Sequence, residues 1–320
     1  MGNALRKKDN VEKELTKFKK YSKLTPELRH HILTYSSRAT LSNYSACSKL
    51  CDSEVQRFNT TPPDCLIIEE ENDGIVVKIE YKKFDDQGQM NYITIFKKFM
   101  PCDGENIMES IRNYLLKYYK YVGEKNTTEL WIDLKQWPVE LMELKSMWNA
   151  LSLDVTIYKS MCNDFIENFK NCDHHIVKLY LRDCRNVSDR ATIRSDFFKS
   201  EGFLRLQRFF CDPTCEIDSQ DFIDLKMRRI YLKSTISFDD IRAKVNKWNN
   251  ATHTEKMYMT IVLLGDNNTQ HDIPAVFPVD QFNYAIQAGR LYKTAQIGKV
   301  EVQTGRYGLK RNIFLDFQKD

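Results

Sequence analysis

Six short runs in which apolar and polar residues alternate recur through the middle of this 320-residue chain, and their spacing restricts the fold more than any other feature. They span 129–135, 153–159, 176–182, 203–210, 227–233 and 257–263, so their starts lie 23 to 30 residues apart. A period of two marks a strand buried on one side, because successive side chains point to opposite faces. Between the runs lie stretches with helical spacing and polar starts, at 160–169, 188–199, 219–225 and 237–248. The last opens on Ser237 and Asp240, a capping box with Asp in place of the usual Glu.

A strand-helix unit repeating every 20 to 30 residues or so predicts a curved parallel solenoid of the leucine-rich-repeat type. The same alternation also describes a doubly wound α/β sheet. No Gly-x-Gly-x-x-Gly follows any of these runs and no Gly-x4-Gly-Lys-Ser/Thr occurs, so the phosphate-binding loops that decorate doubly wound sheets are missing and the solenoid is favoured. Alternation also assigns faces. Leu130, Ile132 and Leu134, Leu153, Val155 and Ile157, and Val177, Leu179 and Leu181 should point into the core, and their neighbours outward. Stacking would then align the outward tyrosines as a ladder between cationic side chains. Tyr, Trp and Arg concentrate binding energy at interfaces, so Trp131, Tyr158, Tyr180, Arg182, Arg229, Tyr231 and Tyr258 are the predicted target-binding face, suited to a protein ligand with acidic character. Tyrosine in strands also follows from β-propensity alone.

The cluster Thr60-Thr61-Pro62-Pro63-Asp64 is the best domain boundary. After it the domain 64–320 begins with antiparallel hairpins over 64–100, strands at 65–68, 74–81 and 90–96 being separated by Asn72-Asp73-Gly74 and Asp85-Asp86-Gln87-Gly88. An amphipathic helix follows over 106–121, then the repeats over 126–264. Residues 265–320 are read as a C-terminal cap, with a long loop at 265–278 and late strands near 299–304 and 312–317.

Ahead of the boundary, Leu24, Leu28, Ile32 and Leu33 form one helical face opened by Thr25-Pro26-Glu27, and Leu41, Tyr44, Ala46, Cys47, Leu50 and Val55 continue helical spacing. A module of this size, 23–60, cannot enclose its own core and needs a partner for its apolar face. Residues 1–22 read as a basic leader: the first 23 residues carry eight Lys/Arg against three acids, a net of +5, whereas the whole chain is only +4. A nucleic-acid reader carries its excess on the folded surface, which argues against that class. No run is apolar enough for a secretory signal or a membrane span, which predicts a cytoplasmic or nuclear protein. Arg6 stands where a myristoylation signal at Gly2 takes Ser or Thr.

The nine cysteines are odd in number and scattered, as expected of small buried hydrophobes in a reducing compartment. Cys211 and Cys215 have no second pair for zinc, and the Cys172-Asp173-His174-His175 cluster reads as a loop before a strand rather than a nucleophile. Asp239-Asp240 reads as a helix start and Glu69-Glu70-Glu71 as a solvated turn. No catalytic group, metal or cofactor is predicted.

The segment Leu24-Thr25-Pro26-Glu27-Leu28 through His31-Ile32-Leu33, with Tyr44-Ser45-Ala46-Cys47-Ser48-Lys49 and Glu54-Val55, resembles an F-box of the short form found in the nematode F-box families. Val245-Asn246-Lys247-Trp248-Asn249-Asn250-Ala251-Thr252, running into the strand at 257–263, is similar to a phrase of nematode F-box-associated domains. The resemblance implies that Leu24, Pro26, Leu28, Ile32, Leu33, Leu41, Cys47 and Val55 dock on the Skp-family adaptor of an SCF-type ubiquitin ligase. The chain would then be a non-catalytic substrate-recognition subunit. The alternative is a repeat-based binding scaffold with no ligase link.

Overall fold

The structure, a computed structural model, describes residues 62–84, 89–101, 106–119, 127–171, 175–250, 257–264, 283–287, 290–307 and 310–317. The leader 1–22, the helical module 23–60 with all its expected docking residues, and the loop 265–278 lie outside the described residues. The chain divides into two compact units, Met1–Pro62 with Asn113–Lys125, and Pro63–Arg112 with Asn126–Asp320. Helix α1 (Ile107–Tyr119) runs from the second into the first. In the first unit, Tyr114 and Tyr118 on α1 meet edge to face, ring centres 5.3 Å apart and hydroxyls at 3.2 Å.

The second unit is mixed α/β, built on one large, mostly parallel sheet. β1 (Cys65–Glu71), β2 (Gly74–Phe84) and β3 (Met90–Phe99) form an antiparallel meander, as the hairpin signals predict. From β1 the sheet continues through parallel neighbours: β4 (Glu129–Asp133), β5 (Ser152–Ile157), β6 (Lys178–Asp183), β8 (Arg208–Cys215), β9 (Arg229–Ser234) and β10 (Met257–Leu263). A two-residue β7 (Thr192–Ile193) pairs with β8. Beyond β10 the pairing turns antiparallel through β14 (Lys310–Phe317), β13 (Val300–Tyr307), β12 (Arg290–Ile297) and β11 (Asn283–Gln287), the last two of which the sequence pattern does not announce. The strand order has two ends, so no barrel closes.

From β4 to β10 the parallel strands lie side by side in chain order, without a reversal. Right-handed crossovers that always step in one direction carry every connecting segment to the same face of the sheet. Among the described residues, connecting segments therefore cover one face and leave the other open. A doubly wound sheet reverses its order and is covered on both.

On the covered face Leu130, Ile132, Leu134, Leu153, Val155, Ile157, Leu179 and Leu181 are buried, as alternation predicts. Val177 is the exception. Its N–H and that of Lys178 both donate to the Leu151 carbonyl, at 3.1 Å each, so the chain bends before β6 and Ile176 is buried in its place. Helices α2 (Lys145–Trp148), α3 (Cys162–Asn171), α4 (Ser195–Phe198) and α5 (Glu201–Leu204) supply the aromatic half of this core. Phe209 of β8 lies 5.0 Å from Phe203 and 6.0 Å from Phe198, and Trp137 lies 5.2 Å from both Trp148 and Phe165. Each such buried side chain stabilises the fold by about 1.5–3 kcal/mol.

Three expectations are corrected here. The run 203–210 is not one strand: Ser200 caps α5 by accepting from the Phe203 N–H at 3.3 Å, and the strand starts only at Arg208. Phe203, Leu206 and Phe209 fall three apart, the spacing of a helix and turn and not the period of two that a strand requires. The stretch 188–199 is not one helix but a 3-10 turn (Val187–Asp189), β7 and α4, because Arg190 bridges to Tyr158 and β7 pairs with β8. The run Glu69-Glu70-Glu71 ends strand β1 rather than forming a turn, with Glu69 bonded to Lys78, Glu70 to Lys135 at 2.7 Å and Glu71 to Lys98 at 3.1 Å. The capping box of α7 (Phe238–Asn250) forms as predicted. The Ser237 N–H donates to Asp240 Oδ2 at 3.2 Å and the Asp240 N–H to Ser237 Oγ at 3.1 Å.

In the first hairpin Asn72 and Asp73 make the turn, and Gly74 pairs with Glu71 as the first residue of β2. A Cβ at Gly74 would stand 2.3 Å from the Phe99 carbonyl oxygen, so β2 and β3 can approach this closely only without a side chain there. Gly74→Ala is expected to cost about 1–3 kcal/mol as the backbone is pushed aside. A thermal melt unchanged by the substitution would refute the close approach.

Candidate recognition face

The strand register sorts the open face into rows that run across the strands. One row is Lys178, Arg208, Arg229 and Tyr258, each the register partner of the one before. The adjacent row, two residues further along each strand, is Trp131, Asp154, Tyr180, Phe210, Tyr231 and Thr260. Phe210 and Tyr231 stack with ring centres 4.2 Å apart and planes within 12°, and Tyr180 follows at 6.2 Å from Phe210. The Arg229 guanidinium lies 5.3 Å from the Tyr258 ring centre. Tyr180, Arg208, Phe210, Arg229, Tyr231 and Tyr258 together line a shallow cavity of about 380 Å³.

Trp131, 41% exposed, stands beside the Arg182 guanidinium at 5.3 Å. Arg182 in turn donates two hydrogen bonds to Asp154, Nε to Oδ1 at 2.7 Å and Nη2 to Oδ2 at 2.6 Å, which hold its pKa further above the usual range. This is a fork-on-fork pair over a carboxylate that is only 6% exposed. Further along the strands Lys233 pairs with Asp212 and, at 3.6 Å, with Asp183, which also meets Arg190 at 3.9 Å. Burial pushes the Asp183 carboxyl above its ordinary range, with Lys233 pulling the other way. Tyr158 donates its hydroxyl to Asp133 Oδ1 at 2.8 Å, and burial together with this bond pushes the phenol pKa up.

Of the residues predicted for the target-binding face, Tyr180, Arg229, Tyr231 and Tyr258 are brought together around the cavity. Trp131 and Arg182 form a neighbouring patch. Tyr158 stands apart, beyond the end of β5. The expected single tyrosine ladder does not form, because Tyr180 and Tyr231 share a row, Tyr258 belongs to the next one and Tyr158 lies further along its strand than either. Strands can be offset by two residues without changing face, so alternation fixes the side but not the row. Two cavity residues, Arg208 and Phe210, escape the sequence reading. Both lie within the run 203–210, where the end of α5 and the start of β8 together blur the alternation that assigns faces, and β8 passes Pro213 by a register shift between Cys211 and Thr214. The signal was nevertheless present in the alternation Arg208-Phe209-Phe210-Cys211.

The Cys211 and Cys215 thiols are buried in β8 and donate to the Pro213 carbonyl at 3.5 and 3.6 Å, and burial pushes the Cys211 thiol pKa up. His175 is exposed, while Cys172, Asp173 and His174 lie outside the described residues. A second hollow, about 720 Å³ and lined by Phe198, Leu206 and Met227 among others, carries charges that pair with one another: Lys247 with Asp224, and Lys199 with Asp221 at 3.4 Å. Among the described residues no helix is long and apolar enough to cross a membrane.

No family model, curated protein or solved structure matches the chain. The functional reading therefore rests on the residues and geometry of the open face.

Proposed function

We propose that this chain is a non-catalytic protein-recognition subunit whose uncovered sheet face binds a protein target. The observation that carries the reading is the concentration of Tyr180, Phe210, Tyr231 and Tyr258 with Arg208 and Arg229 on the face that no connecting segment among the described residues covers. Rigid aromatic and guanidinium groups on a preformed sheet give contact area at little ordering cost. The one-directional strand order supports the solenoid form of this reading, in which each unit contacts only its neighbours.

The F-box-like segment adds a second partner. Leu24, Pro26, Leu28, Ile32, Leu33, Leu41, Cys47 and Val55 dock on a Skp-family adaptor, and the open face holds the target near the ubiquitin donor, acting by proximity and not by chemistry of its own. The protein then works in the cytoplasm or nucleus as part of an SCF-type ligase. Co-purification of the full chain with the purified Skp-family adaptor tests this. A stable complex is expected, weakened at least tenfold by Leu28→Asp with Ile32→Asp, since buried anchor residues each contribute about 2 kcal/mol or more to an interface. Absence of a complex, or one indifferent to the double substitution, overturns the ligase reading and leaves a recognition scaffold.

A further inference from the structure

We infer that the cavity on the open face receives an acidic, helical protein segment lying across the strands, its carboxylates meeting Lys178, Arg208 and Arg229. This rests on the protein-recognition reading and names the chemistry of the partner. The three cations are register neighbours on β6, β8 and β9. Adjacent strands are about 4.8 Å apart, so their row is about 10 Å long. Among the described residues none of the three is paired with a carboxylate. Other cations of the same face are: Arg182 with Asp154, Lys233 with Asp183 and Asp212, and Arg190 with Asp183. The positive charge here is local, because the chain beyond its first 23 residues is almost neutral. Three cations held in a line without internal counter-charges repel one another, and that cost is relieved only when an anion arrives.

The aromatic row beside them narrows the anion's class. Two rings 4.2 Å apart with planes within 12° occupy each other's faces. They span neighbouring strands, so they stand upright on the sheet and turn their edges outward. A ring edge is the positive part of the quadrupole and favours carboxylate and carbonyl oxygens. A nucleobase needs a free ring face to stack on, and the faces that Phe210 and Tyr231 turn to each other are closed to it. The row thus suits a polypeptide and disfavours single-stranded nucleic acid.

Spacing narrows it further. Side chains one helical turn apart are separated by about 5.4 Å along a helix, within about 0.6 Å of the strand spacing. Same-side residues of an extended chain are about 6.7 Å apart and fall out of step by the third cation. Glutamates at i, i+4 and i+7 of a helix laid across β6, β8 and β9 match Lys178, Arg208 and Arg229 in turn, and the long basic side chains take up the remaining mismatch.

The test uses the full chain and fluorescence anisotropy. The probe is a labelled Ala/Gln-based helical peptide with Glu at i, i+4 and i+7. Controls are a peptide with the same glutamates spread around the helix, one with Lys at the three positions, and oligo-dT. The patterned acidic peptide should bind most tightly, lose affinity as salt rises, and lose at least tenfold when Arg208→Glu and Arg229→Glu are combined. The milder pair Arg208→Gln and Arg229→Gln, with its thermal melt compared with the parent chain, guards against misfolding. Equal binding of the two acidic peptides, tighter binding of oligo-dT, or indifference to both pairs of substitutions overturns the proposal. Selection from a displayed library of random segments separates the two levels. Enrichment of neutral or basic sequences that is lost in the Arg208→Gln/Arg229→Gln chain refutes the acidic partner while protein recognition survives. Enrichment of nothing sensitive to that pair refutes both.

Discussion

Replacing Phe197 by alanine should lower the unfolding free energy of the domain by about 3–5 kcal/mol, the range for removing a fully buried aromatic ring. Phe197 has no exposed surface and its ring centre lies within 5.3 to 6.2 Å of those of Phe165, Phe169, Phe198, Phe203 and Phe209. These rings come from α3, α4, α5 and β8, so one truncation loosens four elements that close the covered side of the sheet. Urea unfolding followed by circular dichroism reads the effect as a lower midpoint at unchanged slope. A loss under about 1 kcal/mol would mean that the site collapses freely and that these rings do not hold the helices to the sheet.

Raising the pH from 7 to 8 should stabilise the domain through Lys244, and Lys244→Met should remove that dependence. Lys244 on α7 has no exposed surface, and its Nζ donates to the carbonyls of Ile223, at 2.8 Å, and Leu225. These carbonyls lie at the C-terminal end of α6 (Ser219–Asp224), so the amine caps that helix from the side. The Trp248 ring centre is 5.3 Å away and that of Phe222 6.0 Å. Burial, with Lys247 nearby, pushes the Lys244 pKa down to about 7. An unfolded lysine titrates near 10.4, so between these values the unfolded chain holds more protons and stability climbs with pH, by at most about 1.4 kcal/mol per unit. The penalty is fully present below pH 7 and relieved as the pH rises. Toward about pH 8.5 and above the buried thiols act in the opposite sense, Cys65 and Cys162 pushed up to about 12 and about 11 and Cys184 and Cys211 also raised, because the unfolded thiols ionise first. The window from 7 to 8 keeps that opposing effect small, and comparison with the methionine variant, which carries the same thiols, isolates the lysine. In the methionine variant the two carbonyls lose their donor, at about 1–3 kcal/mol each, and the rise with pH should disappear. A variant as pH-dependent as the parent would show that the amine does not titrate in this window.

How far the chain could be read without coordinates depended on the range of the interactions concerned. The inward set from Leu130 to Leu181, apart from Val177, was legible because alternation is imposed by the backbone of each strand alone. The box of Ser237 and Asp240 was legible for the same reason: donor and acceptor lie within one helical turn. Where a distant segment competed, local pattern misled. Tyr158 takes Arg190 into a bridge and β8 takes residues 192–193 into the sheet, which breaks the helix that spacing suggests there. The merging of α5 with the start of β8 in the run 203–210 blurred the faces of Arg208 and Phe210, and only the partner strand reveals that the ladder steps around Pro213 to Cys215.

The amino-acid pattern by itself determined that short, one-sided strands alternate with connecting segments and which side chains those strands bury, since both follow from periodicities of a few residues. The tertiary structure alone decided that the strands add in one direction, so that connecting segments among the described residues leave a single face uncovered, and which outward residues share a row. It also decided that, among the described residues, Arg182 and Lys233 find carboxylates while Lys178, Arg208 and Arg229 do not. Row and charge partner depend on the register between strands far apart in sequence. An offset of two residues leaves the buried face unchanged, so hydrophobic patterning cannot specify it.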